Sequence, residues 1–187
     1  MPAGDEPGAA ATAAAPSAAA LRGFPGVIWW VSAVTIVADQ ATKYLVNTML
    51  PVYDSVTVIP HFMDLVHVHN AGVAFGLLNG SEHPQRNLLT TGLAIVALAG
   101  IAYYARHVRR EERAARAGLS LILGGAVGNL IDRTRQGYVI DFVDVYWGGW
   151  HFWAFNVADA AISVGAVLVF IDVLFSNRHA SHPLSDR

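Results

Sequence analysis

Four apolar segments, over residues 27–46, 88–104, 118–133 and 155–175, constrain this 187-residue chain more than any other feature. A helix needs about 20 mostly apolar residues to cross a bilayer. The first, second and fourth segments meet or approach that length, and the third does so only when 118–133 is taken whole. Charged residues make up only 14% of the chain, against roughly 25% in soluble domains. The reading is an all-α integral membrane protein of four transmembrane helices with a small extracytoplasmic β-sheet. Residues 23–178 form its single membrane domain.

The flanks carry little. Residues 1–22 are rich in Ala, Pro and Gly, with almost no large apolar groups to offset chain entropy, so a disordered cytoplasmic tail is expected. Residues 179–187 form a short C-terminal tail. Residues 21–41 have the outline of a cleavable signal peptide. Asp39 and Lys43 interrupt the end of that stretch, however, and no small-x-small site precedes them, so a retained helix is expected.

Orientation follows from the basic residues. The segment between the second and third spans holds Arg106, Arg109, Arg110, Arg113 and Arg116. By the positive-inside rule this segment and both termini are cytoplasmic, and loops 47–87 and 134–153 face outside. Within the first outer loop, "SVTVI" and "FMDLVHVHN" are β-branched or alternating and predict two short strands. The second outer loop holds Tyr146, Trp147, Trp150 and Trp153, which suit the headgroup interface. "YWGGWHFW" reads as an interfacial flap. Gly124 and Gly128 stand at small-xxx-small spacing and predict close helix packing.

On this topology the polar residues of the spans converge at one depth. Asp39 and Lys43 lie four residues apart in the outer half of the first span, and share a face. Asn129 and Asp132 end the third span with Arg133, and Asn156 and Asp159 begin the fourth. Asn70 and Asp141 come from the outer loops. Pairing of Asp39 with Lys43, and of Asp132 with Arg133, would account for two of the acids. It leaves Asp159 without a cation within a turn or two. Asp54, Asp64, Asp144 and Asp172 are read as having no catalytic role.

The chemistry narrows by exclusion. There is no Cys, so thiol nucleophiles and disulfides are out. No G-x-S-x-G occurs, and Ser120 and Ser163 have no His near their depth. His67 and His69 share one face of a strand, but two His without H-E-x-x-H make a weak zinc signal. A carboxylate pair remains. Two acids held close share one proton, so one can take a proton from water while the other polarises a carbonyl. Which two of Asp39, Asp132, Asp141 and Asp159 form the pair stays open on residue types alone.

Four stretches together resemble the bacterial lipoprotein signal peptidases (signal peptidase II). They are "DQATKYLV" (39–46), "NAGVAFGLL" (70–78), "GGAVGNLIDR" (124–133) and "VIDF…FNVADAAI" (139–162). Val73 departs from the small residue usual there, and the N-terminal tail lies outside the matching region. The resemblance implies an intramembrane aspartic peptidase with Asp141 and Asp159 as the catalytic pair. Asp132 with Arg133, and Asp39 with Lys43, would support it, and Asn70, Asn129 and Asn156 would orient substrate or dyad. It further implies lipid-modified prolipoprotein signal peptides and membrane lipids as partners, in the bacterial cytoplasmic membrane. A monomer is expected, with no cofactor, no metal and no nucleic-acid partner.

Overall fold

A computed structural model describes residues 27–72 and 86–179. The expected tails and Val73 lie outside these residues. Four helices alternate with short strands: α1 (Trp29–Met49), β1 (Ser55–Ile59), β2 (Met63–Asn70), α2 (Arg86–Ala105), α3 (Arg113–Gln136), β3 (Val139–Trp147), β4 (Trp150–His151) and α4 (Val157–His179). The strands form one antiparallel sheet in the order β1-β2-β3-β4. The sheet follows the C-terminal ends of α1 and α3 and precedes the start of α4, so it caps one end of the bundle.

The exterior is apolar and the interior polar, the pattern that a bilayer demands. Val34, Val37, Leu93, Val96, Val164, Val167 and Phe170 are exposed, while Asp39, Lys43, Asn129 and Asp132 are buried. Leu88–Ala105, Arg113–Gln136 and Val157–Phe175 are long and apolar enough to cross a membrane. With 21 residues, α1 has equal length but loses hydropathy to Asp39, Gln40 and Lys43. Both charged residues turn into the bundle, and Trp30, Val34, Val37 and Tyr44 make the outward face.

Three features differ from the sequence reading. The third helix runs 24 residues, not the 16 of segment 118–133, because Arg113 and Arg116 join its first turn rather than a loop. Residues 139–147 are a strand, not a loop, so Asp141 is held by a ladder to β2, opposite Val68. "YWGGWHFW" includes a tight hairpin between β3 and β4. Gly148 has φ +60, the positive value that a two-residue hairpin turn requires.

Helix α3 is central and packs against the other three helices, most extensively α4. The α3–α4 crossing is a contact between backbones. A Cβ at Gly118 would lie 2.5 Å from the Gly165 carbonyl oxygen, and one at Gly165 would lie 2.5 Å from that of Gly118. At the end away from the sheet, Ser120 works structurally. Its hydroxyl accepts from the Ile28 N–H at 2.7 Å, satisfying an amide at the start of α1, where no side chain caps. Gly118→Val is expected to lower the unfolding midpoint in detergent, at a cost of about 1–3 kcal/mol for overpacking. Gly92→Val should leave it unchanged, because nothing lies within 4 Å of a Cβ there. Equal midpoints for both variants would contradict the close crossing.

Candidate active site

Helix α4 begins with a capping box. Asn156, just before the helix, accepts from the Asp159 N–H at 2.9 Å through Oδ1, and its own N–H donates to Asp159 Oδ2 at 3.3 Å. The motif N-x-x-D before an apolar run is the sequence signature of this geometry. It fixes Asp159 at the third helical position, about 4.5 Å along the axis from the helix start.

Asp141 reaches the same region from β3. Its carboxylate accepts from Asn156 Nδ2 at 2.7 Å and from Asn70 Nδ2 at 2.9 Å. Asn70 ends β2, and its Oδ1 accepts from the Gly72 N–H at 3.0 Å. Burial, and then the neighbouring Asp159 charge, push the Asp141 carboxyl up to about 7.

A second layer lies behind the acids. Lys43 contacts Asp39 Oδ2 at 2.9 Å and Asp132 Oδ2 at 2.8 Å, and donates to Asn129 Oδ1 at 2.9 Å. Asn129 Nδ2 then donates to Asp159 Oδ1 at 2.8 Å. Asp39 Oδ1 accepts from the Ala158 N–H at 2.9 Å, tying α1 to the first turn of α4. Asp39 and Lys43 are 0% and 2% exposed, so this layer is dry.

Eight of the nine residues singled out from the sequence thus join one network of side-chain to side-chain contacts, with Asp141 and Asp159 facing a common cavity. The ninth, Arg133, lines the same cavity without pairing with Asp132. Asp132 goes to Lys43, because its position shares the α3 face turned toward α1. Arg133, one residue on, points elsewhere and donates to the Gly72 carbonyl at 3.1 Å. Gln40 was missed. It bridges the second layer, donating to Asp39 Oδ2, Gly128 O and Asp132 Oδ1 at 3.0–3.2 Å. Its place between Asp39 and Lys43 was the available signal.

The cavity has a volume of about 840 Å³. Asn70, Asn129, Arg133, Asp141 and Asp159 form its polar end, and Ala94, Ala97, Ile101, Ile122, Ala126 and Ile162 form an apolar groove between α2, α3 and α4. His67 and His69 do not line it. Their Nε2 atoms lie 3.3 Å apart, His67 Nδ1 meets the Leu50 carbonyl at 2.8 Å, and His69 stacks on Tyr138. Among the described residues, no group of three or more His, Cys, Asp or Glu is placed to hold a metal ion.

Comparison with known proteins agrees with this architecture. Residues 31–175 match the family described as Signal peptidase (SPase) II. The lipoprotein signal peptidase of Geobacter metallireducens is 46% identical over 151 residues, covering 81% of this chain and 92% of the relative. That of Pseudomonas putida is 39% identical over 173 residues, covering 91% and 99%. A bacterial membrane enzyme solved by the in meso method superposes with a TM-score of 0.72 at 29% identity, covering 84% of this chain and 93% of that one. A family match across most of the chain, relatives of nearly the same length and a shared membrane fold make this multi-pass membrane protein a member of the signal peptidase II family of aspartic peptidases.

Proposed function

We propose that this chain cuts the signal peptide from diacylglyceryl-modified prolipoproteins just before the lipid-bearing cysteine, and that Asp141 and Asp159 activate the attacking water. One observation carries this reading. Two carboxylates clamped by amides stand at the polar end of an apolar groove. A signal-peptide helix entering from the bilayer has an apolar bed between α2, α3 and α4. Its scissile bond, near the outer interface, then meets the acids.

The pair holds one proton between its two members. The ionised carboxylate draws a proton from water as the oxygen attacks the scissile carbonyl carbon. The protonated one hydrogen-bonds the carbonyl oxygen, and protons then pass to the leaving amine. No covalent intermediate is needed. Asn70, Asn129 and Asn156 hold the carboxylates in register. Lys43, itself held by Asp39 and Asp132, anchors Asn129 from behind, and Arg133 lines the cavity. The protein acts in the bacterial cytoplasmic membrane as a monomer, with both termini cytoplasmic and the sheet outside.

Asp141→Asn and Asp159→Asn should each lower cleavage of a lipid-modified precursor by roughly 10²–10⁴-fold, the range of general acid–base contributions. Both variants should keep wild-type membrane insertion, and Asp172→Asn should keep most activity. Substantial turnover by either Asn variant would refute the dyad. The reading also has a pH signature. As pH rises through about 7 the second proton leaves the pair, centred on Asp141, and the dianion lacks the acid. The cleavage rate should therefore fall on the alkaline side of pH 7, and a rate flat to pH 9 would contradict the shared proton. Orientation is tested by Glu112→Cys in this cysteine-free chain. An impermeant maleimide should label it only in opened cells, and labelling of intact cells would invert the topology.

A further inference from the structure

A second cavity, of about 300 Å³, adjoins the first. The two share Val68, Phe152, Trp153 and Ala154 as a common wall. The groove for the signal peptide lies on the bundle side of the acids. The second cavity lies over the sheet, beyond that wall, where Asp144 and His151 line it.

Asp144 reaches this position through an irregularity in β3. The Phe142 and Val143 N–H groups both donate to the Phe155 carbonyl, at 3.0 and 2.8 Å. Two residues opposite one is the pattern of a β-bulge, which shifts the alternation of side chains by one. In a regular strand Asp144 would face away from Asp141, three residues earlier. Asp144 instead lines the outer cavity beside the shared wall.

The local chemistry is acidic. Asp144 Oδ2 holds His151 Nδ1 at 2.8 Å, while its buried Oδ1 has no partner among the described residues. Asp64 stands opposite Asp144 in the β2–β3 register and accepts from the Tyr146 hydroxyl at 3.2 Å. Tyr146 in turn stacks on His151. Two carboxylates and one imidazole thus make up the cluster, with Asp144 on His151 and Asp64 on Tyr146. A carboxylate oxygen held in place with no donor favours a ligand that brings one.

We propose that this outer cavity holds the residues that follow the lipid-bearing cysteine, and that Asp144, set by His151, favours a cationic or hydrogen-bond-donating side chain there over an acidic one. The inference rests on the proposed peptidase activity. With the signal peptide in the bundle groove and the scissile bond at the dyad, the remaining chain must leave over the sheet, and this cavity adjoins that exit.

The test is a set of lipid-modified precursors differing only in the two residues after the cysteine, which are Lys, Ser, Ala or Asp. In the wild type, kcat/KM for the Lys and Ser precursors should exceed that for the Asp precursor by roughly three- to tenfold, as for a partly exposed charge-assisted contact. Asp144→Asn should shrink the Lys-to-Asp ratio below about twofold, and Asp144→Lys should invert it. Ratios within one enzyme sample cancel the active fraction, so a partly misfolded variant still reports. Asp54→Asn changes an exposed carboxylate that lines neither cavity, and should leave the ratio as in the wild type. A wild-type ratio near one, a ratio that survives both Asp144 substitutions, or an equal loss in Asp54→Asn would overturn the inference. A wild type that cuts none of the precursors would instead remove the peptidase reading, and this inference with it.

Discussion

The Lys43 ammonium is the contact on which the rest of the site depends. An ammonium has three hydrogens and no acceptor. Here they meet two carboxylates and one amide oxygen, from Asp39 on α1 and from Asp132 and Asn129 on α3. Removing one partner of a buried ion pair costs about 3–5 kcal/mol, because the other charge is left uncompensated. Each of these residues is therefore held in place by the rest. Gly128 makes room for the arrangement, since a Cβ there would lie 2.5 Å from Asp39 Oδ2. Displacing Asp39 would also release the Ala158 amide that it accepts from, and with it the start of α4.

The three asparagines transmit this order to the acids. Each has its oxygen committed to a donor, so its NH₂ must face a carboxylate. Asn129 gives its oxygen to Lys43, Asn156 to the Asp159 amide and Asn70 to the Gly72 amide. Their NH₂ groups then meet Asp159, Asp141 and Asp141 respectively. An aspartate at any of these positions would add a third carboxylate and remove a donor from one of the other two. An asparagine is short enough to need no extra rotamer freedom, and it has one end of each polarity. That is what a connector between a cation and an acid requires.

Much of this was legible because helical spacing is a geometric rule. Asp39 and Lys43 at i,i+4, and Asn129 and Asp132 at i,i+3, had to share faces, and charge asymmetry set those faces at one depth. The alternation in 55–59 and 63–70 likewise marked the β1–β2 hairpin. Pairing across helices was not legible. Asp132 and Arg133 are neighbours in sequence, yet consecutive helical residues diverge by about 100°. Only the rotation of α3 against α1 decides that Asp132 meets Lys43. Strand β3 was hidden for a different reason. Its buried residues Val139, Ile140, Asp141 and Phe142 show no alternation, because α1 and α3 pack against this stretch and the site takes up the rest. Strands buried on both faces lose the period-two signal.

The split of the proposed dyad between a strand and a helix follows from the cost of charge in lipid. An acid at the centre of a span costs about 2.5–3.5 kcal/mol or more on insertion scales, and less toward the interface. The helical acids Asp39 and Asp132 are compensated by Lys43. Asp159 has no cation within a turn or two on its own helix. It sits in the first turn instead, where the Asn156 N–H and the Asn129 amide reach it. A second uncompensated acid on a neighbouring span would carry the same penalty again. Asp141 avoids it by arriving on strand β3 of the sheet that caps the bundle. The proposed pair therefore draws one carboxylate from the first turn of a span and one from the sheet that caps the bundle.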